Sequence, residues 1–232
     1  AFMKTAAEAA QLAESLVRTG TSMHVRTTAL LTDMNQPLGA MCGNALEVQE
    51  AVQVMQGHGP ADVRRLSVQL AAQVLVDSAA CADPVAATAR CERLLESGAV
   101  YDRFLRMVSA QGGDHRLPLQ FAPVTELTAA RDGFVQQIQA EQLGYAVIAM
   151  GGGRQRAADV IDHSVGLEML VRIGDRVTAG QPLVRLYCHD PQAVGQQVLA
   201  SLVLSESPVL EPLPLIHSRL TMLDHQFVQQ AG

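Results

Sequence analysis

The sequence predicts an α/β unit followed by an α+β unit rich in β-structure. Three observations lead there. Capped amphipathic helices alternate with a buried strand up to about residue 118, the texture breaks over 111–125, and short alternating segments follow. Across 232 residues, 48% are hydrophobic and 17% charged, which suits a packed globular chain rather than a disordered one. With no Trp and 3% aromatics, the core must be made of Leu, Val, Ala, Ile and Met.

The first unit is read element by element. Thr5-Ala-Ala-Glu8 has the form of a capping box, and Ala9, Leu12, Ala13, Leu16 and Val17 keep one helical face. Gly20 is the expected stop of that helix. Val25 to Leu31 is β-branched and uncharged after Arg26, a buried strand. Asn44 with Glu47 repeats the capping pattern, and Gly57 ends a second helix. Further helices are expected at about 62–76, at 84–97 with Asp83 and Pro84 in front and Gly98 behind, and from Val100 to Ala110.

Residues 111–125 carry Gly and Pro with weak periodicity and read as a linker. Beyond them, 133–138, Tyr145 to Met150, Leu167 to Ile173 and Pro182 to Tyr187 read as strands, with helices at about 157–161 and 191–204. The tail after Ser207 reads as extended, since Pro208, Pro212 and Pro214 exclude a helix. Domains are therefore expected at 1–118 and 119–232.

Charge and composition exclude several functions. A net charge of −6, with Lys4 the single lysine, leaves no basic patch for nucleic acid or a membrane surface. No apolar run is long enough to span a bilayer, and the start has no signal-peptide pattern. Cys42, Cys81, Cys91 and Cys188 lack the spacing of a metal cluster or disulfide framework, so a reduced cytoplasm is expected.

Four segments could carry chemistry. Asp33 and Asn35 follow the strand at 25–31, where α/β proteins place ligand contacts, although a turn cap accounts for Asp33 equally well. Met150-Gly-Gly-Gly-Arg154, read as strand–turn–helix, could cradle an anion; a packing turn is the commoner explanation. Asp162-His163 invites a catalytic pairing, but adjacent residues rarely orient one another and no nucleophile elbow frames a serine. Glu50, after the Leu38–Met41 loop, could join loop carbonyls as the hard oxygen set an alkali or alkaline-earth cation prefers; a solvated helix glutamate is the plain alternative.

Val171-Arg-Ile-Gly174-Asp175, with Gly180 and alternating Val and Leu, resembles half of a biotinyl or lipoyl carrier domain, a barrel-sandwich hybrid. Residues 133–232 contain no lysine, so there is no attachment point and carrier function is excluded.

Ala1-Phe-Met-Lys-Thr5, Arg26 to Gly39, Gly43-Asn-Ala-Leu-Glu-Val48, Ala149 to Arg154, Asp162-His-Ser-Val-Gly166 and Gly174-Asp175 fall in the order of one family. Through them the chain resembles the thymidine and pyrimidine-nucleoside phosphorylases over nearly its whole length. The resemblance implies part of a mixed-sheet α/β phosphorylase domain followed by a C-terminal α+β domain. It implies phosphorolysis of a pyrimidine nucleoside in a homodimer, with inorganic phosphate as co-substrate and no organic cofactor. Phe2 and Met3 match positions lining the apolar pocket around the base. The Leu38 and Met41 carbonyls and the Glu50 side chain match a potassium-type site.

The family's phosphate loop, its lysine and its base-binding Arg, Ser and Lys fall upstream of Ala1. The chain is thus expected to be a C-terminal portion, inactive alone. Arg26 to Asn35 and Met150 to Arg154 favour thymidine; Lys4 and Gln36 to Gly39 also suit the broader uridine/thymidine type. A non-catalytic binding or structural remnant is the reading from another class.

Overall fold

In a computed structural model, residues 3–209, 214–223 and 226–231 are described. In chain order they form α1 (Ala6–Ser22), β1 (Thr28–Thr32), β2 (Met41–Cys42), α2 (Asn44–Met55), α3 (Ala61–Asp77), α4 (Pro84–Glu96), α5 (Ala99–Ala110), β3 (Val124–Thr128) and β4 (Gly133–Ile138). There follow α6 (Ala140–Val147), a π-turn (Ile148–Gly152), β5 (Gly166–Met169), β6 (Arg176–Val177), β7 (Pro182–Tyr187), α7 (Pro191–Ala200), β8 (Leu202–Ser205), β9 (Ile216–Leu223) and β10 (Gln226–Ala231). The class is mixed α and β, and every described strand pair is antiparallel.

Two compact units are interleaved in sequence. One comprises 1–34, 61–100 and 213–232; the other comprises 35–60 and 101–212. Compactness therefore does not divide at one point near 118. The chain's last strands return to β1, and the segment 35–60 is bound into the second unit by β2 and α2.

In the first unit, β9 lies between β1 and β10, with Thr28 opposite Thr221 and Leu31 opposite Ser218. The capping box of α1 is present: Thr5 Oγ1 accepts from Glu8 N, and Glu8 returns a carboxylate to Thr5 N at 3.0 Å. Gly20 does not end the helix, which runs on to Ser22. Its role is clearance, because a Cβ there would lie 2.0 Å from Thr27 Oγ1 as the chain turns back. The expected strand starts later, at Thr28. Asp83 accepts from Ala86 N with Pro84 at the first turn of α4, as the sequence indicates. Helices α3 and α4 meet through Val68, Ala72, Ala87 and Cys91.

The second unit holds two sheets, ordered β2-β5-β7-β3 and β6-β4-β8. Its core is continuous from Val135 and Ile138 through Leu143 and Leu167 to Leu186 and Val198. The end of the 111–125 connection is tied down, with Ala122 N donating to Ser164 O and Pro123 O accepting from Cys188 N.

Four sequence expectations fail here. Tyr145 to Met150 is not a strand but the end of α6 and its π-turn. An apolar run of that length fits either state, and burial of Leu143 and Ala146, three residues apart, selects the helix. Residues 157–161 are not helical; the Asp159 carboxylate takes the N–H groups of Gln155 and Arg156 in a local turn. Leu167 to Ile173 stops being a strand at Met169, and 191–204 divides into α7 and β8 at buried Ser201.

Candidate functional site

The segment from Asn35 to Glu50 lies within the second unit and is held at nearly every residue. Gln36 Oε1 accepts from Ile173 N at 3.0 Å. Arg172 Nη1 donates to Pro37 O at 2.8 Å and also to Gly39 O. Ala40 O accepts from Met169 N at 2.7 Å, and Met41 then enters the ladder opposite Glu168. The loop is therefore shaped by an internal cation, the guanidinium, whose fork suits paired carbonyls.

Glu50 closes the loop from the other side. It is 5% exposed, and its Oε1 accepts from Ala40 N at 2.8 Å and Met41 N at 3.2 Å. A carboxylate removed from water needs such donors. This is not the solvated helix glutamate that a plain reading of the sequence expects.

A carboxylate and backbone carbonyls are hard oxygens of the type an alkali cation takes. However, Glu50 Oε1 accepts from N–H donors, and the carbonyls of Pro37, Gly39 and Ala40 are engaged by Arg172 and Met169. Among the described residues no group of three or more His, Cys, Asp or Glu could hold a metal. A cation here would thus depend on backbone oxygen rather than on a transition-metal ligand set.

Two glycines let this segment meet another part of the chain. Gly43 has φ 137°, and a Cβ on it would lie 2.6 Å from Val165 O. A Cβ on Gly166 would lie 2.3 Å from Cys42 O. The two backbones pack face on face, so the Gly43 and Asp162–Gly166 motifs are one structural feature. Gly43, not Asn44, is the N-cap of α2. Glu47 still reaches back, accepting from Gly43 N at 3.0 Å, while Asn44 Nδ2 donates to Gly152 O at 2.9 Å and Ala45 N to His163 O.

The glycine turn at 150–153 closes a helix rather than opening one. The carbonyl of Gly151 accepts from Asp162 N and that of Gly152 from Asn44. With carbonyls engaged and no helix following, an anion cradle at a helix N-terminus is not formed there. Asp162 Oδ1 accepts from Ser164 N at 2.9 Å and Ser164 Oγ at 2.6 Å, and Oδ2 lies 3.2 Å from His189 Nε2. These contacts, Ser164's first, hold its carboxyl below the usual carboxylate range. The carboxylate stands between hydroxyl and imidazole, the wrong order for a Ser–His relay. His163 is exposed and contributes its carbonyl.

Beside Glu50, desolvation and the Glu47 and Glu50 charges push the Cys42 thiol up to about 12, so it is inert as a nucleophile. Asp33 ends β1 in the first unit with its side chain 7% exposed, Oδ1 3.8 Å from His217 Nε2, and its N–H on Leu215 O. Met3 is half-buried just before α1, and Phe2 lies outside the described residues. Sequence reasoning missed Arg172. It stands 133 residues or more from the carbonyls it binds, and the only local signal is the turn that aims it, where Asp175 accepts from Arg172 N at 2.7 Å.

Two family models match the chain. Residues 1–101 match the glycosyl transferase family a/b domain, and 134–202 match the pyrimidine nucleoside phosphorylase C-terminal domain. The two matches fall in order along one chain, a glycosyl-transferase α/β segment followed by a nucleoside-phosphorylase C-terminal domain. The chain belongs to the thymidine and pyrimidine-nucleoside phosphorylase family.

It is 43% identical over 208 residues to a thymidine phosphorylase of Burkholderia lata, covering 85% of this chain and 47% of the relative. A thymidine phosphorylase of Burkholderia cenocepacia is 41% identical over 206 residues, covering 85% and 47%. The pyrimidine-nucleoside phosphorylase of Bacillus subtilis is 37% identical over 196 residues, covering 82% and 45%. The chain thus spans about half the length of the curated relatives it matches.

Proposed function

We propose that this chain serves the reversible phosphorolysis of a pyrimidine nucleoside, thymidine first, to the free base and a pentose 1-phosphate. The observation that carries the reading is the 43% identity to a thymidine phosphorylase over 208 residues. The Bacillus subtilis relative supports the broader uridine/thymidine reading as the second choice.

In this reaction a phosphate oxygen forms a bond to the anomeric carbon as the glycosidic C–N bond breaks. The base leaves with the electron pair and takes a proton. Catalysis is then chiefly electrostatic stabilisation of charge on the sugar and base. The Asn35–Glu50 segment is proposed to supply a rigid loop beside the reaction, with Leu38, Met41 and Glu50 holding potassium. A bound potassium ion would supply fixed positive charge and brace the loop. Phe2 and Met3 are proposed to line the base pocket.

A cytoplasmic homodimer is the proposed setting, and β3 to β8 are read as a barrel-sandwich hybrid. The family's phosphate loop has no match within these 232 residues, so the chain alone is expected to be inactive. The test is incubation of the purified chain with thymidine, phosphate and potassium, following thymine by chromatography against a phosphate-free control. No release is expected; phosphate-dependent release would overturn the reading that the chain lacks the phosphate site. Potassium should raise the melting temperature of the wild-type chain and not of Glu50→Gln. An equal rise in both would remove Glu50 from the cation site.

A further inference from the structure

In the first unit, a cavity of about 360 Å³ lies against β1, β9, β10, α3 and α4. Its apolar side includes Leu30 and Ile216; its polar side carries Arg65, Arg219, Gln73 and Thr88, and no carboxylate lines it among the described residues. That is unusual in a chain of net charge −6, where cations are normally matched by nearby acids.

Among the described residues neither guanidinium has a carboxylate counter-ion. Arg219 Nε donates to Gln73 Oε1 at 2.9 Å, and its Nη1 lies 3.4 Å from Gln230 Oε1; both acceptors are neutral amides. Gln73 is itself oriented, because its Nε2 donates to Asp77 Oδ1 at 2.9 Å and so turns its oxygen toward Arg219. Asp77 thus positions the amide without lining the cavity. The exposed Arg65 side chain has no hydrogen bond or ion pair among the described residues. One held guanidinium and one with no partner among the described residues, lining one cavity, match the oxygens of a phosphate group.

We propose that this cavity binds a small organic phosphomonoester, its phosphate on Arg65 and Arg219 and its organic part against Leu30 and Ile216. The volume favours a monoester over a bare ion, since inorganic phosphate would leave the apolar side wet. The site is built wholly from the first unit and uses none of the Asn35–Glu50 segment, so it stands apart from the phosphorolysis reading.

The probe is phenyl phosphate, followed by ³¹P NMR titration into the full 232-residue chain in a phosphate- and sulfate-free buffer at low ionic strength. No nucleoside is present, so the result is independent of turnover. Saturable binding is expected, weakened at least about tenfold by Arg219→Gln and by Arg65→Gln, and abolished by the double variant. Arg219→Lys, which keeps charge but loses the fork, should fall between. Arg65 is exposed, so its variant keeps the test valid if Arg219→Gln lowers the melting temperature. Inorganic phosphate binding as tightly as phenyl phosphate would overturn the monoester assignment. No saturable binding, or binding that survives the double variant, would overturn the site.

Discussion

The two units hold themselves together by different means. In the second, β4, β5 and β7, α6 and α7 bury one continuous apolar set from Val135 to Leu202, and the Asn35–Glu50 segment is fastened to it by buried polar groups. In the first, the buried apolar residues are fewer and smaller. Val68, Ala72, Ala87 and Cys91 lie between α3 and α4, and Ala13, Val17 and Leu220 elsewhere, with cross-strand ladders and the Gln73, Arg219 and Thr28 side chains beside them. A rigid loop needs a core behind it, and the loop most closely tied to the family resemblance is attached to the unit that has one. The thinner unit keeps polar groups turned into a cavity.

That contrast breaks most directly at the cores. Leu167→Ala, in a fully buried side chain of the second unit, should cost about 3–5 kcal/mol. Val68→Ala, buried in the first, should cost about 1–2 kcal/mol. Urea unfolding monitored by amide exchange separates them; equal losses would erase the difference between the units.

Next comes the polar fastening. Glu50→Ala strands the Ala40 and Met41 N–H groups and should cost about 2–3 kcal/mol. Glu50→Gln retains one oxygen acceptor and should lose about half as much. A loss below about 0.5 kcal/mol for the alanine variant, read from the urea midpoint, would show that the loop is held by its other contacts, those of Gln36, Ala40 and Arg172, without Glu50.

The smallest effect is a pH dependence. Cys42 is raised to about 12, so the fold favours its neutral thiol. The associated stability is fully present below the ordinary thiol range and is lost as pH rises from about 9 toward 12. The urea midpoint of wild type should therefore fall more steeply over that window than that of Cys42→Ala. At pH 8 iodoacetamide should label Cys42 only after unfolding.

Much of the local structure was legible. The Thr5–Glu8 capping box, Asp83 and Pro84 before α4, and the strand Pro182 to Tyr187 all stand where the residues place them. Errors came where a short apolar run fits two states, as at Tyr145 to Met150, or where a glycine has a spatial task, as Gly20 does against Thr27. At the candidate site, the 35–50 segment was singled out by its wording, but its fastening to the second unit was not legible. Arg172 was not, because its partners are set by a turn packing against a loop far away in sequence.

By itself the sequence determined the family and most helices with their caps, since these depend on neighbouring residues and on the order of motifs along the chain. Only the tertiary structure decided that the two units interleave, that Gly43 and Gly166 meet backbone to backbone, and that Glu50 is a buried acceptor. It also brought Arg65 and Arg219 to one cavity. Each of these depends on residues separated by tens to hundreds of positions, and local propensity carries no information about which distant group will arrive to satisfy a carbonyl, a carboxylate or a guanidinium.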